Sequence, residues 1–175
     1  MQRNVILIGF MGTGKSTIGR RLSRTFGYPL IDTDQLIMEQ EGRPIPEIFA
    51  DQGEQAFRDL ETKVLQSLSK HSGHIIATGG GIIGRPENRA LLRNLGYVVW
   101  LIANPAEILN RTSRNTNRPL LQTNDPEGTI HDLLEARTPL YHETAHLAIE
   151  TDQLSFDEVT TGIIESARYH FRTIK

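Results

Sequence analysis

The sequence predicts one α/β domain, a three-layer α/β/α sandwich built on a central parallel sheet of five strands. Three observations carry this. Short apolar runs recur at 4–8, 29–31, 74–77, 97–102 and 146–149, with helical patterns between them. Strands that alternate with helices pair in parallel and are covered by helices on both faces. The first run, Val5-Ile6-Leu7-Ile8, is continuous rather than alternating, as a strand buried on both faces requires. It leads directly into Gly9-Phe10-Met11-Gly12-Thr13-Gly14-Lys15-Ser16, a complete G-x-x-x-x-G-K-[ST] phosphate-binding loop.

Length and composition agree with one core. A chain of 175 residues with 38% hydrophobic and 23% charged residues is typical of a globular domain. The net charge of −2 creates no global field for nucleic acid. Arginine outnumbers lysine 15 to 4, and its rigid fork suits carboxylate or phosphate oxygens, so an anionic substrate is worth considering. The absence of cysteine excludes disulfides, thiolate metal sites and cysteine nucleophiles. No apolar run reaches the roughly 18 residues of a membrane span, and Gly9 ends the first run too early for a secretory signal. A soluble, cytoplasmic enzyme with no membrane or nucleic-acid partner is expected, and a monomer.

The elements can be justified in order. After the first strand, the loop's backbone N–H groups are expected to wrap a polyphosphate at the start of a helix. Gly12, Thr13 and Gly14 belong to that loop, with Lys15 reaching the β- and γ-phosphates and Ser16 holding Mg²⁺. The second strand ends in Asp32-Thr33-Asp34, and Gly42 reads as the end of the helix that follows. Gly53 separates a short helix near Ile48-Phe49 from a longer one with Phe57, Leu60, Glu61, Val64, Leu65 and Leu68 on one inward face. The third strand ends in Thr78-Gly79-Gly80-Gly81. After the fourth, Asn104 and Pro105 form a helix start. Residues 112–125 are polar and turn-rich, the composition of a mobile loop that could act as a lid. Arg137-Thr138-Pro139-Leu140-Tyr141 reads as a helix break. Ser155 and Glu158 have capping-box spacing for a last helix that buries Val159, Ile163 and Ala167.

In such sheets ligands bind at the carboxyl ends of the strands, so the residues there are the candidates for chemistry. Asp32 and Asp34, two apart in an extended segment, would both face the phosphate loop. One could orient magnesium water while the other accepts a hydrogen bond from a substrate hydroxyl, or either could only cap a helix. The three glycines would let the backbone approach a ligand closely. Arg58, with Glu54 and Glu61 at helical spacing, could bind an anion beside an apolar wall at Phe57, or be a surface pair. Arg118 in the lid could reach a transferring phosphoryl group, and Arg137 could project into the cleft. The six histidines show no metal spacing.

Together these pieces resemble the shikimate kinase family. The likeness runs through Gly9–Thr17, Asp32-Thr33-Asp34, Phe57-Arg58-Asp59-Leu60-Glu61, Thr78–Gly81, Arg118-Pro119-Leu120-Leu121 and Arg137–Glu143. The resemblance implies a P-loop fold like that of nucleoside monophosphate kinases, with a substrate-binding helical segment at about 33–62 and a lid at about 112–125. It implies transfer of the γ-phosphoryl of ATP to the 3-hydroxyl of shikimate, with Mg²⁺. It further implies that Asp34 holds the accepting hydroxyl, that Arg58 and Arg137 hold the carboxylate, and that Gly80 contacts substrate through its backbone. Glu61 would brace Arg58, while Phe49 and Phe57 wall the ring. Lys15 and Arg118 would stabilise the transferred group. Ser16 and Asp32 would hold the metal. Thr17 would contact nucleotide, and Arg111 would stack near adenine opposite the loop around Thr151-Asp152. The stretch Ala145-His146-Leu147 is its least typical part.

Two other readings compete. Another small-molecule kinase of this architecture, acting on gluconate or a nucleoside monophosphate, would lack the Arg58 and Arg137 motifs. A GTPase-like switch would use Asp125-Pro126-Glu127-Gly128 as its D-x-x-G element, but that element falls late and no Asn-Lys-x-Asp motif exists.

Overall fold

The computed structural model describes residues 3–113 and 119–173. Five parallel strands form one sheet in the order β2-β3-β1-β4-β5: β1 Asn4–Ile8, β2 Leu30–Asp32, β3 Ile75–Ala77, β4 Gly96–Ile102 and β5 Leu147–Glu150. Register is continuous across the centre, where Leu7 lies between Ala77 and Val99. Five strands match the five apolar runs, with ends displaced by a residue or so.

Alternation along β1 divides the core in two. Ile6 and Ile8 face one cluster with Ile76, Val98 and Trp100. Helices α2 (Thr33–Glu41), α3 (Ile45–Ser67), α4 (Pro86–Leu95) and α6 (Pro126–Thr144) cover that side through Ile37, Leu65, Leu92 and Tyr141. Val5 and Leu7 face the other, where α1 (Lys15–Phe26) and α7 (Phe156–Thr173) contribute Ile18, Leu22, Val159 and Ile163. Both faces of β1 are therefore fully buried, which accounts for its unbroken apolar run. A third, smaller cluster of Phe10, Met11, Ala103, Ile108 and Ile130 seats α5 (Pro105–Thr112) over the carboxyl ends of the strands. No helix among the described residues is long and apolar enough to cross a membrane.

Local chemistry sets the helix ends. Asn104 accepts a hydrogen bond from Glu107 N at 2.9 Å, and Pro105 occupies the first turn. Ser155 and Glu158 close a reciprocal capping box at 3.2 and 2.8 Å. Gly53, at φ 80°, breaks α3 into a short and a long piece. Asp125, the first residue of the D-x-x-G match, caps α6 by accepting from Gly128 N at 2.9 Å. It is a helix start, not a switch element.

Two expectations need correction. The segment Asp32-Thr33-Asp34 is not extended throughout, because β2 ends at Asp32 and α2 starts at Thr33. The chain turns there because Asp32 Oδ1 caps the new helix, accepting from Asp34 N at 3.1 Å and Gln35 N at 3.4 Å. Nor does the chain break at Pro139, which lies inside α6. A mid-helix proline costs about 3 kcal/mol in an isolated helix. Here Tyr141, two residues on, is fully buried and stacks on Trp100 at 5.6 Å, and burial of such a ring offsets much of that cost.

Candidate active site

The phosphate loop joins β1 to α1 over a cleft of about 520 Å³. Gly14, at φ 91°, is the N-cap of α1 and offers no side chain to its first-turn N–H groups. Those donors and the helix dipole are what a phosphate would meet. Lys15 is 9% exposed, and its Nζ donates to the Gly9 and Phe10 carbonyls, each at 2.7 Å. The ammonium thus lies along the loop it is expected to neutralise. Thr13 Oγ1 donates to Phe10 O at 2.8 Å and fixes the loop's turn.

Ser16 and Thr17 open α1 and border the cleft with Asp32. Ser16 Oγ donates to Asp32 Oδ2 at 2.9 Å. One carboxylate therefore serves twice, with Oδ1 on the helix cap and Oδ2 on the serine. A hydroxyl and a carboxylate oxygen side by side fit Mg²⁺, a hard cation that keeps several waters and needs few protein oxygens. Among the described residues no group of three or more His, Cys, Asp or Glu side chains is placed to hold a metal ion.

A narrower hollow of about 50 Å³ adjoins the cleft, and Met11, Asp34, Ile45 and Gly80 border both. Arg58 Nη1 donates to Glu61 Oε2 at 2.8 Å, and its Nη2 to Glu54 Oε1 at 2.7 Å. Phe49 and Phe57 pack at 4.8 Å between ring centroids, with the Arg58 guanidinium over Phe57. Arg137 enters from α6, lying over Phe10 at 5.7 Å and donating to Gly80 O at 3.4 Å. Pro119 and Leu120, in a short 3₁₀ turn, also line this hollow. Arg118 lies outside the described residues.

The glycine run has a different first duty from the expected one. A Cβ on Gly79 would stand 2.5 Å from Asp34 Oδ1 and 3.0 Å from Glu61 Oε1, and one on Gly81 would collide with the Arg58 guanidinium. These glycines make room for the site's own side chains. Gly80 O is already engaged by Arg137 and by the hydroxyl of Tyr141, so a substrate contact there falls to its N–H. Tyr141 was legible only as part of a motif. Burial holds its phenol protonated, and it acts as a brace.

At the nucleotide end, Arg111 donates to Glu107 Oε1 at 2.6 Å and to Gly12 O at 3.1 Å, which ties it to the loop and the cleft. Thr151 and Asp152 are occupied elsewhere: Thr151 bonds Ile102 O, and Asp152 accepts from Asn104 N. From this stretch the side chain that lines the cleft is Phe156, 43% exposed and beneath the Arg21 guanidinium. Sequence reasoning passed over Phe156; an exposed aromatic just after a capping serine was its only signal.

Glu61 is fully buried, and among the described residues its Oε1 receives no hydrogen bond. Burial pushes its carboxyl up to about 7 against the pull of Arg58, with the nearby charge of Asp34 adding to the rise. The unfolded carboxyl ionises near 4.5, so between about 4.5 and 7 the folded state binds more protons. Stability should therefore fall as pH rises through that window and level off above it. Glu61→Gln should remove this component, on the order of 1 to 3 kcal/mol. Denaturant titrations of both proteins at several pH values check it; identical slopes would show that Glu61 does not titrate there.

A phosphate loop on a parallel sheet of this order, an acid after β2 and a helical segment walling a second hollow define a small-molecule kinase of the nucleoside monophosphate kinase type. Comparison with known proteins narrows the class. A family model described as shikimate kinase matches residues 11–168. The chain is 45% identical over 167 residues to a shikimate kinase of Thioalkalivibrio sulfidiphilus, covering 95% of this chain and 86% of that protein. It superposes with TM-score 0.93 on a structure of shikimate kinase from Acinetobacter baumannii in complex with shikimate, at 40% identity, covering 100% of this chain and 97% of that one. Shikimate kinase from Aquifex aeolicus superposes with TM-score 0.80 at 32% identity, covering 97% of this chain and 99% of that one. The chain belongs to the shikimate kinase family. Shikimate kinase activity, a step of the shikimate pathway, is what its fold and family carry.

Proposed function

We propose that the chain transfers the γ-phosphoryl of ATP to the 3-hydroxyl of shikimate, with the two ligands meeting at Asp34. The observation that carries this is the place of Asp34, whose side chain borders both the phosphate-loop cleft and the arginine-lined hollow. A carboxylate there is at the junction where an accepting hydroxyl must sit. Arg58 and Arg137 hold the substrate carboxylate, Phe49 and Phe57 face its ring, and the Gly80 N–H orients it. Glu61 keeps the Arg58 fork in one orientation.

On the donor side, Gly12, Thr13, Gly14, Lys15, Ser16 and Thr17 bind the phosphates, and Arg111 lies against the base, with Phe156 across the cleft. Ser16 and Asp32 are the residues that would hold Mg²⁺, which when bound neutralises charge on the β- and γ-phosphates. Lys15, with Arg118 from the lid, stabilises charge on the transferring group. Asp34 fixes the hydroxyl and accepts its proton. Segment 33–62 is the substrate-binding part, and 112–125 the lid that excludes water. The proposed working unit is a cytoplasmic monomer, since one chain supplies every residue assigned and the reaction consumes ATP.

Arg137→Ala tests the substrate end most cleanly, because Arg58→Ala would also strip buried Glu61 of its partner. A charge-assisted hydrogen bond is worth roughly 1.5–3 kcal/mol, so shikimate should bind about 10- to 150-fold more weakly, with ATP unaffected. Calorimetric titration of both ligands measures this, and an ATP-selective defect would place Arg137 at the wrong end. For the lid, amide exchange over 119–125 should slow when ADP and shikimate are both bound. Equal exchange in the free and bound enzyme would refute closure.

A further inference from the structure

A third hollow lies at the opposite edge of the sheet, where β1 and β4 begin at Asn4 and Gly96. Its volume is about 270 Å³. Arg3, Arg93, His71, His146 and His170 line it, and among the described residues no acidic one does. Ligands of parallel α/β sheets bind at the carboxyl ends, so this hollow is no extension of the reaction cleft. The length of a five-residue strand, roughly 15 Å, separates the two.

Arg93, His146 and His170 are held in place by contacts to their neighbours. Arg93 Nη1 donates to the carbonyls of Glu143 at 3.0 Å and Thr144 at 3.2 Å, at the end of α6. The His146 ring stacks on Tyr97 at 5.6 Å and lies 5.1 Å from that of His170, which is 4.5 Å from Tyr97. Val98 N donates to His146 Nδ1 at 3.0 Å. That bond fixes the tautomer, leaving Nε2 as the proton-bearing donor. Burial, Arg93 and His170 hold the His146 imidazole down at about 4, while burial and Arg3 lower that of His170. The cluster therefore repels added positive charge. A metal ion is disfavoured for the same reason, and no metal-ligating cluster exists among the described residues. The ligand that relieves this repulsion is an anion. Guanidinium forks beside imidazole donors match the several oxygens of a phosphate group.

We propose that this hollow is a second anion site, taking a small ligand with one or two phosphate groups, independent of the phosphate loop. The probe is pyrophosphate, added to enzyme whose nucleotide cleft is already saturated with Mg²⁺ and ADP. Histidine ring protons are followed by NMR. The signals of His146 and His170 should shift saturably while that of His131, on α6 away from the hollow, stays put. The titration midpoint of His170 should rise, because a bound anion favours imidazolium. Arg93→Gln should weaken binding at least about tenfold. Since that change also removes a contact to the end of α6, His170→Gln provides a second variant that leaves the contact intact, and it too should weaken binding. Absence of a saturable shift, or equal affinity in both variants and the parent, would overturn the proposal. Citrate is the comparison ligand: saturable binding of citrate without binding of pyrophosphate would overturn the assignment to phosphate.

Discussion

Replacing Lys15 with alanine should lower kcat by two to three orders of magnitude while shikimate still binds. Removing one preorganised electrostatic donor from a water-excluded site typically costs about 10²–10³ in rate. Lys15 meets that condition: its ammonium is almost wholly buried against the phosphate loop, held by two carbonyls of the loop itself. No neighbour can stand in, since the next lysine in the chain is Lys63. The arginine-lined hollow is built chiefly from α2, α3, α6 and the Gly79–Gly81 loop, with Met11 as its phosphate-loop member, so shikimate affinity should change little. A coupled assay for ADP release gives the rate and calorimetry the shikimate affinity. Near-normal turnover would remove Lys15 from the chemistry. Joint loss of turnover and shikimate binding would point to a collapsed loop, which a thermal melt would register.

Asp34→Asn should cost still more in rate relative to binding. General-base assistance contributes about 10²–10⁴-fold, so kcat should fall within that range while shikimate affinity stays within a few-fold. The amide keeps a hydrogen-bond acceptor for the hydroxyl, but takes up no proton and carries no negative charge. Phosphoryl transfer through a loose transition state can also proceed with positioning alone. If that is Asp34's whole duty, the variant will retain most of its turnover, and the general-base role falls. The substitution has a second, independent signature. The charge of Asp34 is one of the causes that raise Glu61, so its removal should lower the Glu61 midpoint.

Much of this was readable in the chain because the relevant physics is local. A strand buried on both faces requires an unbroken apolar run, and Val5–Ile8 is one. Helix starts at Asn104 and Ser155 are set by side chains three residues from the groups they cap. What escaped the reading was long-range. Asp32 and Asp34 do face one cleft, but through a strand end and a helix turn rather than along one extended segment. Pro139 reads locally as a break, yet it lies inside α6, where the burial of Tyr141 against Trp100, on a distant strand, favours the continuous helix. Phe156 gave no periodic signal, since its position depends on where α7 docks beside α1. The basic hollow is assembled from five separate stretches of chain, with no spacing to announce it.

The Gly79-Gly80-Gly81 wall carries a consequence for how this enzyme can change. At Gly79 and Gly81 a side chain would intrude on Asp34, Glu61 or Arg58, and at Gly80 a Cβ would stand 3.0 Å from Met11 N. Even alanine is therefore felt at every step of the run, and no drift by small increments is open to it. Altered acceptor preference, whether selected in nature or in the laboratory, would have to arise from the opposite wall, where Ile45 and Phe49 can vary in bulk, whereas Phe57 is buried beneath the Arg58 guanidinium. An inhibitor anchored on the glycine wall would accordingly leave resistance few routes through that surface.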